Sequence, residues 1–131
     1  MNTLISSVIK IDTIDNLNIV HFDFLGQTLS MMSLDLNENI KIGTKVALTA
    51  KPTHVVIAKA FDGTISYSNQ LKAKIIALEN GKLLTTLSVQ VEESLLESII
   101  TLDSSKKMNL KVGDEVMALI NASELSILKV L

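Results

Sequence analysis

The chain has 131 residues, with 12 lysines, no arginine, 14 acidic residues, two histidines and no cysteine. The lack of cysteine excludes a disulfide framework, a cysteine-based zinc site and a thiol nucleophile. A net charge of −2 with only three phenylalanines and one tyrosine argues against direct nucleic-acid binding, which needs clustered cations and stacking rings.

Hydropathy and the first residues indicate a cytoplasmic protein. No run of about 18 apolar residues occurs, so neither a membrane-spanning helix nor a membrane role is predicted. Residues 1–7 lack the basic segment followed by an apolar segment that marks a secretory signal. We therefore expect a protein of the cytoplasm.

Alternating apolar residues predict five strands in the first half of the chain. Residues 16–25 show the pattern best, with Val20, Phe22 and Phe24 on one face and His21 and Asp23 on the other. Turns are predicted at residues 26–27 and 51–53, the second of which contains the single proline. The predicted strands are residues 4–14, 16–25, 28–34, 45–50 and 54–60.

The second half of the chain repeats this order of elements. Asn80 and Gly81 predict a tight turn after the first of its strands. Residues 103–109 predict a short helical turn with Asp103 as the N-cap. The predicted strands are residues 71–78, 83–91, 95–102, 115–120 and 125–130.

The two halves are copies of one unit. Residues 40–48 match residues 110–118, and residues 51–53 lie over residues 121–123 at the same spacing of 70. Near the start, residues 2–4 lie over residues 69–71. The chain therefore reads as a tandem duplication of residues 1–62 and 66–131, which we predict to be two domains.

Five short strands and a helical turn per copy predict an all-β fold. The best interpretation is two tandem Greek-key barrels of the oligonucleotide/oligosaccharide-binding type. An SH3-like barrel remains an alternative, because periodicity does not separate the two. A barrel of this length is marginally stable alone, so oligomerisation is expected to help.

The ends of the second repeat carry a family resemblance. It opens with Ser66-Tyr67-Ser68-Asn69-Gln70-Leu71, and residues 110–123 read Leu-Lys-Val-Gly-Asp-Glu-Val-Met-Ala-Leu-Ile-Asn-Ala-Ser. This resembles the Mop or TOBE domain, which begins Ser-Ala-Arg-Asn-Gln-Leu-x-Gly and ends Leu-Lys-x-Gly-x-x-Val-x-Ala-x-Ile-Lys-Ala-Ser/Thr. The resemblance extends to the first repeat, and so to essentially the whole chain.

The resemblance implies binding of molybdate or tungstate, with the metal present only as its oxyanion and no organic cofactor. Tandem copies are similar to the di-domain molbindins, which are small cytoplasmic molybdate stores. Such proteins form homo-oligomers, so a dimer or trimer with anions between barrels is implied. The alternative is the ligand-sensing module of a molybdate-responsive transcription regulator or importer.

The family contacts, carried over residue by residue, give a candidate oxyanion site. Ser68 stands where the family has arginine, and Asn121 stands where it has lysine. We therefore predict a composite site in which Lys51 and Thr53 of one repeat face the opening segment of another. Thr101 could instead cap the helical turn. The candidate residues are Ser33, Lys51, Pro52, Thr53, Ser66, Ser68, Asn69, Thr101, Asn121, Ala122 and Ser123.

Nothing in the sequence indicates catalysis. There is no glycine-rich phosphate loop, no nucleophile elbow and no metal-ligand spacing. We therefore expect a binding protein and not an enzyme.

Overall fold

The computed structural model describes residues 2–131 and is dominated by β-strands, which confirms the all-β prediction. The ten predicted strands are all present, with ends that differ by a few residues. The strands are β1 (Leu4–Ile14), β2 (Leu17–Phe24), β3 (Gln27–Ser33), β4 (Lys45–Thr49), β5 (Val56–Ala58), β6 (Asn69–Asn80), β7 (Leu84–Val91), β8 (Ser94–Thr101), β9 (Glu115–Ile120) and β10 (Ser126–Val130).

The strands form two antiparallel sheets of five strands, and the repeats exchange their last strands. The first sheet has the order β10-β4-β1-β2-β3, and the second has the order β5-β9-β6-β7-β8. Ile127 of the second repeat pairs with Leu48, and Ile57 of the first repeat pairs with Ala118. Each sheet is therefore built from four strands of one repeat and one strand of the other.

The β2–β3 hairpin shows how the sequence sets the register. Leu25 and Gly26 both have positive φ, at 51° and 84°. This is the backbone of a two-residue turn that matches the twist of the flanking strands, and glycine favours it. The turn thus lies one residue earlier than predicted, and Gln27 already belongs to β3.

One hydrophobic cluster contains side chains from both repeats. Val20, Phe22 and Phe24 of β2 are all at most 1% exposed, as the alternation predicts. They belong to the same cluster as Ile75 and Ile120 of the second repeat. Since each such side chain contributes about 1.5–3 kcal/mol when buried, the shared core links the two repeats energetically.

One α-helix, α1 (Leu102–Lys107), is found within residues 2–131, and it follows β8. The prediction of Asp103 as its N-cap is wrong, because Thr101 has the extended backbone of a cap and its Oγ1 accepts a hydrogen bond from Ser104 N–H at 3.1 Å. Asp103 lies in the first turn, where its charge favours the helix dipole. Within residues 2–131, this six-residue helix is far too short to cross a membrane, and no other helix is long enough.

Lys59 fastens the exchanged strand β5 to the second repeat. Its Nζ donates to the carbonyl oxygens of Met108 at 3.2 Å and Asn109 at 2.9 Å, which end α1. The same ammonium lies 3.0 Å from Asp114 Oδ2. Its hydrogen bond to Asp114, together with the Lys111 backbone N–H, holds the pKa of that carboxyl below its ordinary value of 3.8.

Candidate functional site

Each repeat places a 3₁₀ turn between its last two strands, and the two turns have the same conformation. The first turn is Pro52–His54 and the second is Ala122–Glu124. The residues before them, Lys51 and Asn121, have φ/ψ of −65°/143° and −68°/144°. Proline suits the first helical position because its φ is already close to helical. The two repeats therefore share the backbone conformation of this turn but carry different side chains on it.

Strand exchange brings these turns across to the other sheet. The first turn packs against β8 of the second repeat, and the second turn packs against β3 of the first. The buried hydroxyl of Ser98 donates to the carbonyl oxygen of Val55 at 2.6 Å, directly after the first turn. The two turns thus lie at the contact between the repeats, where residues of both can meet.

A cavity of about 450 Å³ lies between the two turns. Lys51, an exposed residue, takes part in none of the four salt bridges found among residues 2–131. Ser123, also exposed, contributes a hydroxyl from the other repeat. The cavity therefore unites candidate residues of both repeats. Its lining consists of Thr49, Ala50, Lys51, Pro52, His54, Ser123, Glu124 and Ser126.

A contact between a histidine and a glutamate joins the turns within this cavity. His54 Nδ1 lies 2.9 Å from Glu124 Oε2, and the two side chains are 37% and 41% exposed. The spacing of 70 that relates the repeats makes these two residues equivalent. Neither residue is among the predicted site residues, although a histidine aligned with a glutamate in the two repeats is a signal that the sequence contains.

A second cavity, of about 530 Å³, lies between β3 and β10 and contains Ser33 and Ser123. Strand exchange explains this pairing, since β10 of the second repeat enters the first sheet. Lys129 lines the same cavity and supplies a cation. Ser123 thus lines both cavities, and Ser33 lies near the second only.

Asn69 lines neither cavity, and its side chain is used in holding the fold together. It is fully buried, its Oδ1 accepts from Ser30 N–H at 2.7 Å, and its Nδ2 donates to the Ser30 carbonyl at 3.0 Å. Asn2, the equivalent residue, makes the same pair of bonds to Glu97, at 2.7 Å and 3.0 Å. The two asparagines therefore bind each repeat to the backbone of the other.

The other candidate residues have separate positions. Thr101 caps α1, and its hydroxyl also donates to Ser104 Oγ at 2.9 Å. Ser66 and Ser68 are exposed in the segment before β6. Thr53, Asn121 and Ala122 belong to the turns, with only Ala122 buried. Among the described residues that line the cavity between the turns, none comes from the opening segment 66–69.

The chemistry of the cavity between the turns suits an oxyanion better than a bare metal ion. Its lining includes the Lys51 ammonium and the hydroxyls of Thr49, Ser123 and Ser126, which are the kinds of hydrogen-bond donor that an anion needs. Across residues 2–131, no group of three or more histidine, aspartate or glutamate side chains is close enough to hold a metal ion.

Sequence relatives match half of the chain. The TOBE domain model matches residues 65–127. A probable molybdenum-pterin-binding protein of Haemophilus influenzae is 34% identical over 64 residues, which is 48% of this chain and 93% of that protein. Molybdenum-pterin-binding protein 3 of Clostridium pasteurianum is 38% identical over 68 residues, which is 50% of this chain and 97% of that protein.

Solved structures match one repeat or both. The cytoplasmic molybdate-binding protein ModG, in a form with molybdate bound, superposes with a TM-score of 0.86 at 18% identity, covering 96% of this chain and 94% of its own. A molybdate-binding protein from Sporomusa ovata gives a TM-score of 0.50 at 31% identity, covering 51% of this chain and all of its own. The first likeness confirms the fold of two small barrels across the chain.

Proposed function

The chain belongs to the Mop/TOBE family, and from this premise we propose that it binds molybdate or tungstate in the cavity between its two 3₁₀ turns. The relatives that match each carry molybdenum or molybdate in their names. The protein is then a binding protein for an oxyanion and not an enzyme.

The observation that carries the proposal is that Lys51 and Ser123 line one cavity although they come from different repeats. A tetrahedral dianion needs donors that converge from several sides. An ammonium gives a charge-assisted hydrogen bond, which is roughly twice as strong as a neutral one, and hydroxyls give neutral bonds that fix orientation. Both kinds of donor are present in this cavity.

Discrimination against sulfate must come from the size of the bound space, because sulfate has the same charge and shape as molybdate. The hydroxyls of Thr49, Ser123 and Ser126 would set that size from three directions. Hydroxyls that reach the larger ion at hydrogen-bond length would stand too far from the smaller one. Selectivity for the larger ion is therefore part of the proposal.

The proposed role is storage or homeostasis of the oxyanion in the cytoplasm, the compartment named for ModG. We also propose that the protein is a homo-oligomer. Large apolar side chains on the first sheet support this, since Ile5, Leu128 and Val130 are 44%, 44% and 47% exposed. Sites at contacts between barrels of different subunits would then add to the cavity within one chain.

Isothermal titration calorimetry of the phosphate-free protein with molybdate, tungstate and sulfate tests the function. We expect micromolar or tighter binding of molybdate or tungstate and no heat from sulfate. Light scattering of the same sample gives the subunit number, and hence the number of anions per chain. A folded protein that gives no heat with molybdate or tungstate would refute the function.

A further inference from the structure

Glu124 is the one acidic side chain in the lining of the cavity between the turns. It faces the same space as Lys51, and its carboxylate contacts His54 at 2.9 Å. The repeat places a histidine at the equivalent position of the first turn, so the second turn differs from it by an added negative charge. A carboxylate inside an oxyanion site calls for an explanation.

We propose that Glu124 is a built-in counter-ion of the oxyanion cavity, which holds His54 in the free protein and lowers the affinity for fully deprotonated dianions. The inference rests on the proposed function and adds a residue that sets affinity and selectivity. Lys51 and His54 are the two side chains of the cavity that carry nitrogen, and the Glu124 carboxylate already contacts His54. A dianion can therefore bind Lys51 directly, but it must compete with Glu124 for His54.

The physical reason is electrostatic. A dianion and a carboxylate repel one another, and a half-exposed site screens this repulsion only in part. One unit of negative charge about 6 Å from a dianion weakens binding by about tenfold, even in a dielectric like that of water. Removal of the charge should therefore strengthen binding by about that factor.

The Glu124 carboxylate should also distinguish oxyanions that carry a proton from those that do not. Hydrogen phosphate carries an O–H that can donate to a carboxylate, whereas molybdate and sulfate carry no proton at neutral pH. Glu124 therefore repels molybdate without compensation, but offers hydrogen phosphate an acceptor. Its loss should favour molybdate over phosphate.

Glu124→Gln tests the proposal, because glutamine keeps the size and a hydrogen-bonding oxygen while removing the charge. Glu93→Gln, in the exposed turn between β7 and β8, is the matched control. Calorimetry with molybdate and with phosphate, on both variants and on the parent protein, gives the affinities. We expect Glu124→Gln to bind molybdate about tenfold more tightly, with a smaller gain for phosphate, and Glu93→Gln to match the parent.

Nuclear magnetic resonance of the His54 imidazole supplies a second readout. Molybdate should shift the His54 nitrogen signals of the parent protein, because the anion competes with Glu124 for the ring. Binding by the parent with equal or weaker binding by Glu124→Gln would overturn the counter-ion and leave the function intact. Absence of molybdate binding in both proteins would overturn both proposals. Binding by Glu124→Gln alone would overturn the proposed function of the parent protein while supporting the repulsion by Glu124.

Discussion

Lys51 combines two properties that an anion ligand needs, a fixed backbone and an unpaired charge. Its φ/ψ of −65°/143° is followed by Pro52, which restricts the turn. Because the ammonium takes part in no salt bridge among the described residues, an anion need not displace a carboxylate from it. The turn thus positions the base of the side chain, and the ligand supplies its partner.

Lys51→Ala should weaken molybdate binding by roughly tenfold to a hundredfold, the loss of one hydrogen bond to a charged group. Calorimetry measures the effect, and a denaturant titration should show unchanged stability because the side chain is exposed. Lys82→Ala, an exposed lysine in the β6–β7 turn, is the control that removes the same charge elsewhere. Equal affinity in the two variants would show that Lys51 is no ligand.

Asn69→Ala should destabilise the fold, because it removes both hydrogen bonds to the Ser30 backbone in a buried place. Leaving those groups unpaired costs roughly 2–4 kcal/mol. Chemical denaturation gives the free energy of unfolding, with Gln70→Ala as the exposed neighbour for comparison. A loss of anion affinity with full stability would instead make Asn69 a ligand, as the family motif predicts.

Among the secondary-structure elements, the exchanged strand β5 is held against the second repeat by the contacts of Lys59. The lowered pKa of Asp114 means that its pair with Lys59 stabilises the fold at neutral pH. The folded-state pKa lies below the unfolded value, so this contribution is present above about 3.8 and is lost as the pH falls through the folded pKa.

Lys59→Met should therefore lower the denaturation midpoint at neutral pH, and the difference from the parent should shrink in strong acid. Lys129→Met, at the equivalent position on β10, is the control because Lys129 forms none of the salt bridges seen in residues 2–131. A difference that stays constant with pH would show that the Asp114 pair contributes nothing, and that the loss comes from the Met108 and Asn109 carbonyls.

The strands could be predicted from the sequence because alternation is a local property. β1 and β9 were predicted to the residue, and Val20, Phe22 and Phe24 are buried as expected. The strand exchange could not be predicted, since β5 and β10 have similar patterns and either fits beside β4 or β9. Which of the two strands pairs with β4 and which with β9 depends on contacts between residues far apart in the sequence.

The same distinction explains what could be predicted of the candidate site. Lys51 and Ser123 follow from the matched turns, which are local motifs. His54 and Glu124 become neighbours only because exchange brings the two turns together. Thr101 illustrates a further limit, because a threonine between a strand and a predicted helical turn is a candidate for a helix cap as well as for an anion ligand, and the structure shows it as the cap.

At the scale of the whole molecule, exchange makes each repeat dependent on the other. Residues 66–131 alone lack β5, so the edge of β9 would be left open. Two such fragments can satisfy one another by exchanging β10, which corresponds to β5 in the repeat. We expect this fragment to form a dimer in light scattering, and a stable folded monomer would show that exchange is dispensable.

The anomalous scattering of molybdenum or tungsten, in a crystal of the protein grown with the oxyanion, tests whether the anion binds between the two 3₁₀ turns. We expect an anomalous peak between these turns, within hydrogen-bond distance of Lys51 Nζ and Ser123 Oγ. A peak confined to other surfaces, with the space between the turns holding solvent only, would contradict it.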